Sequence, residues 1–169
     1  DAFGTSDDLY YTAYHPQPIK NWLNDPNGPF FFNGKYHLFF QYNPYGWTWG
    51  NMSWYHMTSE DLTEWEHQPV ALFPDKEYDC GGVFSGSATV VDGVPTLIYS
   101  VKCGAAVIHA VPTNVSDPYL KGWEKPDYNP VLRRPNFTHN YRDPTEGWKG
   151  EDGVWRSIVG CDEGPCLYK

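Results

Sequence analysis

The sequence predicts an all-β fold, an incomplete β-propeller of about two and a half blades. Three observations carry this. Strand-rich runs are joined by Asn33-Gly34, Asp92-Gly93 and Asp152-Gly153, dipeptides whose tolerance of positive φ suits tight hairpins. No stretch between Asp25 and Pro74 shows the ~3.6-residue apolar period of a long helix. The pattern also recurs: a motif, a strand, a glycine turn and a second strand follow starting points at 25, 84 and 143, spaced 59 residues apart.

In chain order, residues 1–14 carry three Asp with Gly, Thr and Ser. They read as an irregular leading segment whose Tyr10, Tyr11 and Tyr14 dock on the body, and residues 15–169 as the incomplete propeller domain. Trp22-Leu23-Asn24-Asp25-Pro26-Asn27-Gly28 then sets a carboxylate in a turn, because Pro26 biases Asp25 away from the α region and Asn27-Gly28 tolerates positive φ. Two strands follow, Pro29–Phe32 and Lys35–Tyr42, closed by Asn43-Pro44. Ser53–Thr58 and Trp65–Gln68 complete a four-stranded meander, with Ser59-Glu60-Asp61-Leu62 as the polar turn between them. The second repeat runs from Ser85 through Asp92-Gly93 to Val94–Val101, and the third from Asp143 through Asp152-Gly153 to Val154–Val159.

Composition narrows the function. A formal charge of −9 and a pI near 4.9 argue against a nucleic-acid partner, which needs clustered Lys and Arg; Arg133-Arg134 is an isolated pair. No run approaches the ~18 apolar residues of a membrane span, and the chain opens without an apolar signal region, so a targeting segment is expected to have been removed or left out. Aromatic residues make up 18% of the chain, including eight Trp; most serve a β-rich core, and those left in a cleft suit stacking on sugar rings.

Three sequons, at Asn51, Asn114 and Asn136, lean with four Cys towards a secreted protein, extracellular or vacuolar. Proximity favours the pairs Cys80–Cys103 and Cys161–Cys166. The six His are scattered without metal-ligand spacing, so no metal is expected.

A propeller gives the repeat a meaning. Blades radiate from an axis, so equivalent ends of their innermost strands point into one funnel, where Asp25, Phe84-Ser85 and Arg142-Asp143 would meet. A β-sandwich also has many short strands but gives no reason for motifs to recur in register. Two repeats and part of a third leave an open edge, so completion by further sequence or by a second chain is expected. Two carboxylates in an aromatic funnel suit glycosidic bond cleavage, with Arg142 able to hold neighbouring groups ionised and bond sugar hydroxyls. Taken singly, the Asp25 motif reads first as an ordinary surface turn, and Arg142-Asp143-Pro144 as a plain salt-bridged one.

Trp22–Gly28, Gln41-Tyr42-Asn43-Pro44, Trp49-Gly50-Asn51, Phe84-Ser85-Gly86-Ser87-Ala88 and Arg142-Asp143-Pro144 together resemble, in order, the motifs of family-32 glycoside hydrolases: invertases, fructan hydrolases and fructosyltransferases. The resemblance implies a five-bladed propeller followed by a β-sandwich, no cofactor, a fructoside substrate such as sucrose or a fructan, and a retaining mechanism through a fructosyl-enzyme intermediate. It implies Asp25 as nucleophile and Asp143 as transition-state stabiliser. Asn24, Gln41 and Arg142 correspond to sugar-binding positions, and Trp49 with Phe84-Ser85 to the wall around the fructose. The family's acid/base Glu belongs to an E-C motif beyond Arg142-Asp143-Pro144. Glu163 is not followed by Cys, so the acid is expected outside this chain.

Three functions fit: a β-fructofuranosidase-type hydrolase, a fructosyltransferase with sucrose as donor, and a non-catalytic fructoside-binding remnant. Trp22 with Trp49-Gly50-Asn51 resembles the hydrolases more than the transferases.

Overall fold

Backbone pairing in the computed structural model, which describes residue 12, residues 14–136 and residues 138–169, forms three antiparallel sheets. The first holds β1 (Leu23–Phe32), β2 (Lys35–Tyr42), β3 (Ser53–Ser59) and β4 (Glu66–Leu72) in sequence order. The second holds β5 (Gly86–Val91), β6 (Val94–Val101), β7 (Ala106–Pro112) and β8 (Trp123–Glu124), with β9 (Leu132–Arg133) also on β7. In the third, β10 (Tyr141–Arg142) and β11 (Trp148–Lys149) pair with opposite ends of β12 (Trp155–Cys161), which also pairs with β13 (Gly164–Tyr168). Among the described residues the one helical element is a 3-10 turn, Glu77–Asp79.

The repeat spacing holds in three dimensions. β2 and β6 are each eight residues long and stand 59 residues apart at both ends. The Gly86 N–H donates to Asn27 Oδ1 at 3.0 Å, a bond between residues separated by that same 59. Alternation along the strands then builds the core. Phe39 and Trp54 face Val83, Leu97, Tyr99 and Ile108 between the first and second sheets, while Ile98 and Val107 face Tyr141 and Val159 towards the third. The first two sheets pack closely at Gly28. With φ at +48°, a Cβ there would lie 3.3 Å from Ala88 Cβ and 3.4 Å from Trp54 Cζ3.

Several elements differ from expectation. The Asp25 motif is not a turn ahead of a strand; it lies inside β1. Asn24 pairs with Gln41 and Pro26 with Phe40, so Asp25 is the extra residue of a bulge, and it takes φ +22°. An edge strand accommodates this because Pro26 has no N–H to leave unpaired. For the same reason β4 runs past Pro69 to Leu72 at the opposite edge. The inner strand of the third sheet is split into β10 and β11, since Asp143 adopts φ +57° and Pro144 lacks a donor. Tyr14 is only partly seated on the body: it is 58% exposed, its ring lies against His15, and it lines a small cleft with Met57, Thr63 and Trp65. Tyr10 and Tyr11 lie outside the described residues.

Both expected disulfides are present, with Cα–Cα separations of 5.5 Å for Cys80–Cys103 and 6.0 Å for Cys161–Cys166. Asn51, Asn114 and Asn136 are all exposed. Beside Cys80, the Asp79 carboxylate is fully buried, where it accepts from Tyr99 Oη at 3.0 Å and pairs with Lys125 Nζ, which also reaches Asp75. This group ties the connection between the first two sheets to β6 and to the segment after β8.

A second buried polar pair lies within the first sheet. His37 Nδ1 and His56 Nε2 are 3.0 Å apart, with Phe30 stacked on His37 and Phe39 on His56. Burial pushes the His37 imidazole down to about 4 and holds His56 well below its ordinary range. The unfolded chain therefore binds protons that the folded one refuses. Stability falls as pH drops below the ordinary histidine value, and the His37 contribution levels off near 4. Urea unfolding at a series of pH values between 7 and 4 is expected to show a loss of about 3 kcal/mol or more. A flat profile would place the pair in water.

Candidate active site

Three sheets contribute to one cavity of about 430 Å³. Asn24, Asp25 and Gln41 come from the first sheet, Trp49 from the loop after β2, Phe84-Ser85 from the approach to β5, and Arg142-Asp143 from the end of β10. All eight residues singled out in the sequence as catalytic or sugar-binding line it.

Local chemistry explains each placement. The bulge at Asp25 aims its carboxylate across the gap between sheets, where the Ser85 hydroxyl donates to Oδ2 at 2.6 Å. Asn24 Oδ1 accepts from Trp22 Nε1 at 2.7 Å, which orients the amide. Gln41 is buried, and its Nε2 donates to the Val83 carbonyl at 2.9 Å; Trp54 Nε1 donates to the Phe84 carbonyl at 3.1 Å. These two bonds fix the backbone on either side of the Phe84 N–H. The Phe84 ring stacks with exposed Trp49, centroids 6.1 Å apart at 26°, to make one aromatic wall. On the opposite side Pro144, whose carbonyl accepts from Ser87 Oγ at 3.0 Å, anchors the Arg142-Asp143 backbone to β5.

The two carboxylates have different electrostatics. The short Ser85 bond holds Asp25 below the ordinary carboxylate range, against the opposing pull of partial desolvation, with smaller help from Asn24 and Arg142. Asp143 is shifted the other way. Desolvation raises it, the Arg142 guanidinium opposes this, and the negative charge of Asp25 adds to the rise. Arg142 Nε stands 3.6 Å from Asp143 Oδ2, a solvent-facing pair whose guanidinium remains available to a ligand. Asp25 is thus the better anion, and Asp143 the carboxyl that gains most from a new hydrogen-bond donor.

The cavity has further walls that the motifs did not indicate: Ser100, Val101, Lys102 and Ala105 from β6 and its turn, and His139, Asn140 and Tyr141 ahead of Arg142. The repeat held a signal for one of them, since Ser100 stands 59 residues after Gln41 at the same place in its strand. No glutamate among the described residues lines the cavity, and no group of three or more His, Cys, Asp or Glu among them is placed to hold a metal ion.

Residues 15–168 match the profile of the glycosyl hydrolases family 32 N-terminal domain. The chain belongs to that family. It is 48% identical over 156 residues to β-fructofuranosidase, insoluble isoenzyme 3, of Oryza sativa subsp. indica, a match covering 88% of this chain and 26% of the relative. It is also 48% identical, over 155 residues, to the vacuolar acid β-fructofuranosidase 1 of a Rosa hybrid cultivar, with the same two coverages. The chain thus spans about a quarter of the length of the curated relatives it matches.

Among solved structures, fructan 1-exohydrolase IIa from Cichorium intybus superposes with a TM-score of 0.86 at 44% identity, over 90% of this chain and 30% of that enzyme. A Bombyx mori family-32 β-fructofuranosidase solved with sucrose superposes with a TM-score of 0.77 at 33% identity, over 92% of this chain and 34% of that one. The three sheets are therefore the N-terminal portion of a family-32 propeller.

Proposed function

We propose that this chain carries the nucleophile and the fructose-binding half of a retaining β-fructofuranosidase or fructan hydrolase. The observation behind the reading is the meeting, in one aromatic-walled cavity, of an Asp25 held ionised by Ser85 and an Arg142-Asp143 pair from a different sheet. The Asp25 carboxylate attacks the anomeric carbon of a terminal fructosyl unit while the glycosidic C–O bond breaks, its electron pair leaving on the departing oxygen. A general acid protonates that oxygen. Water then cleaves the fructosyl–Asp25 ester and returns the carboxylate. Asp143 and Arg142 hold fructose hydroxyls, Asn24 and Gln41 complete the polar contacts, and Trp49 with Phe84 forms the apolar wall. In this reading the acid is a glutamate from sequence outside residues 1–169.

Localisation follows as part of the proposal. Two disulfides, three exposed sequon asparagines and relatives named as insoluble or vacuolar support a secretory route to an extracellular or vacuolar site.

The test is product analysis with the full-length protein at low and high sucrose and with 1-kestose. Free fructose under all conditions is expected; trisaccharide accumulating at high sucrose would make the protein a transferase. Binding of fructoside without turnover would favour the second reading, a non-catalytic binding protein, for which the absence of glutamate among the described cavity residues is the supporting observation. A sharper check concerns Ser85→Ala. Removing its hydroxyl raises the proton affinity of Asp25, so the acid limb of kcat/KM is expected to move to higher pH while the alkaline limb stays in place. An unmoved acid limb would separate Asp25 from that ionisation.

A further inference from the structure

Ser100 receives no role from the family motifs, yet it is a point at which the two carboxylate-bearing parts of the cavity are tied together. It lies near the end of β6 and is only 2% exposed. Its backbone fixes the Ser85 side: the Ser100 N–H donates to the Ser85 carbonyl at 3.3 Å, and the Ser100 carbonyl accepts from the Phe84 N–H at 3.0 Å. Its hydroxyl then acts in both directions. Oγ donates to the Ser85 carbonyl at 3.2 Å and accepts from the Asp143 N–H at 3.4 Å. The Ser85 hydroxyl in turn bonds Asp25, so hydrogen bonds on either side of Ser85, joined through its covalent frame, link the Asp143 backbone to the Asp25 carboxylate.

The Asp143 end of this run is a strained backbone. A non-glycine residue at φ +57° persists only where its surroundings over-determine it. The flanking anchors are the β10 pairing of Arg142 with Gly160 and the Pro144 carbonyl held by Ser87. Between them, the amide of Asp143 itself is held by Ser100 Oγ. We propose that Ser100 is a positioning residue that sets the orientation of the Asp143 carboxylate relative to Asp25, acting through the Asp143 amide without touching the sugar's reacting atoms. The inference rests on the fructosidase reading for its kinetic consequences, and on geometry alone for its structural ones.

Ser100→Ala keeps the backbone bonds to Phe84 and Ser85 and deletes only the hydroxyl link. If Asp143 acts chiefly in the transition state, the variant should lose kcat about tenfold with KM changed less than about twofold. Ser100→Thr restores the hydroxyl and should recover most of that loss. The discriminating measurement is a double-mutant cycle in the full-length protein with Asp143→Ala as the second change. Where Asp143 has no carboxylate to orient, Ser100→Ala should cost less than about twofold more. A full tenfold loss in that background would overturn the proposal, because a merely structural serine adds its cost regardless of Asp143.

Amide hydrogen exchange over residues 141–146 provides the arm that needs no turnover. Ser100→Ala should speed exchange there and leave β2 and β3 unchanged. Unchanged exchange at that segment overturns the inference even if the protein cleaves fructosides. Faster exchange in a protein that releases no fructose would sustain the positioning role and defeat the hydrolase reading instead.

Discussion

With Asp25 as the proposed nucleophile, its replacement by Asn is expected to lower fructose release by the full-length protein by about four orders of magnitude or more while leaving the fold in place. Asn presents nearly the same shape, tolerates the φ of +22° that the bulge imposes, and still offers Oδ1 to the Ser85 hydroxyl. What it lacks is the negative charge and the lone-pair reactivity that form the fructosyl ester. Steady-state release at saturating sucrose, read beside near-ultraviolet circular dichroism, separates the two effects. A variant that keeps more than about a tenth of the activity would remove Asp25 from the role of nucleophile.

The second large effect concerns stability. Lys125→Met removes the partner of Asp79, whose side chain is fully buried, and leaves an anion with only the Tyr99 hydroxyl and the local backbone to solvate it. Breaking a buried pair from one side costs about 3–5 kcal/mol, a large fraction of the stability of an ordinary domain. Urea denaturation should show the midpoint falling accordingly. The Asp79→Asn, Lys125→Met double variant is expected to recover part of the loss, since it no longer buries an uncompensated charge. A single variant as stable as the parent would mean that water reaches Asp79.

Much of the fold was legible because its information is periodic. Hairpin dipeptides at Asn33-Gly34 and Asp92-Gly93 lead into β2 and β6, which the structure places as read, and the residues at the 59-residue spacing, Asp25, Phe84 and Asp143, line one cavity. Features that break periodicity were not legible. The bulge at Asp25 looks like a turn in sequence, because Asn-Asp-Pro-Asn-Gly has the same local preferences whether or not a neighbouring strand pairs with it. The two-residue strands β8 and β9 are too short to carry an alternation, and they exist because β7 offers an edge to a returning loop. The Asp79–Lys125 pair joins residues 46 apart that share no motif. Lys102 and His139 reach the cavity by the path of the chain around them, a property of three dimensions alone.

The contact at Gly28 has a consequence for how the protein would lose function. Gly28 lies where the first two sheets pack closely, and three residues before it the Asp25–Ser85 bond spans the same gap at 2.6 Å. That bond is the main cause of the low proton affinity of Asp25. The separation between neighbouring blades therefore acts as a dial on the acidity of Asp25, the proposed nucleophile. Widening it by about 1 Å, through a bulkier residue at Gly28 or through warming, takes the hydroxyl beyond good hydrogen-bonding range while every strand stays paired. Mild damage would then register as a drift of the acid limit of activity towards neutrality, well before any spectroscopic sign of unfolding.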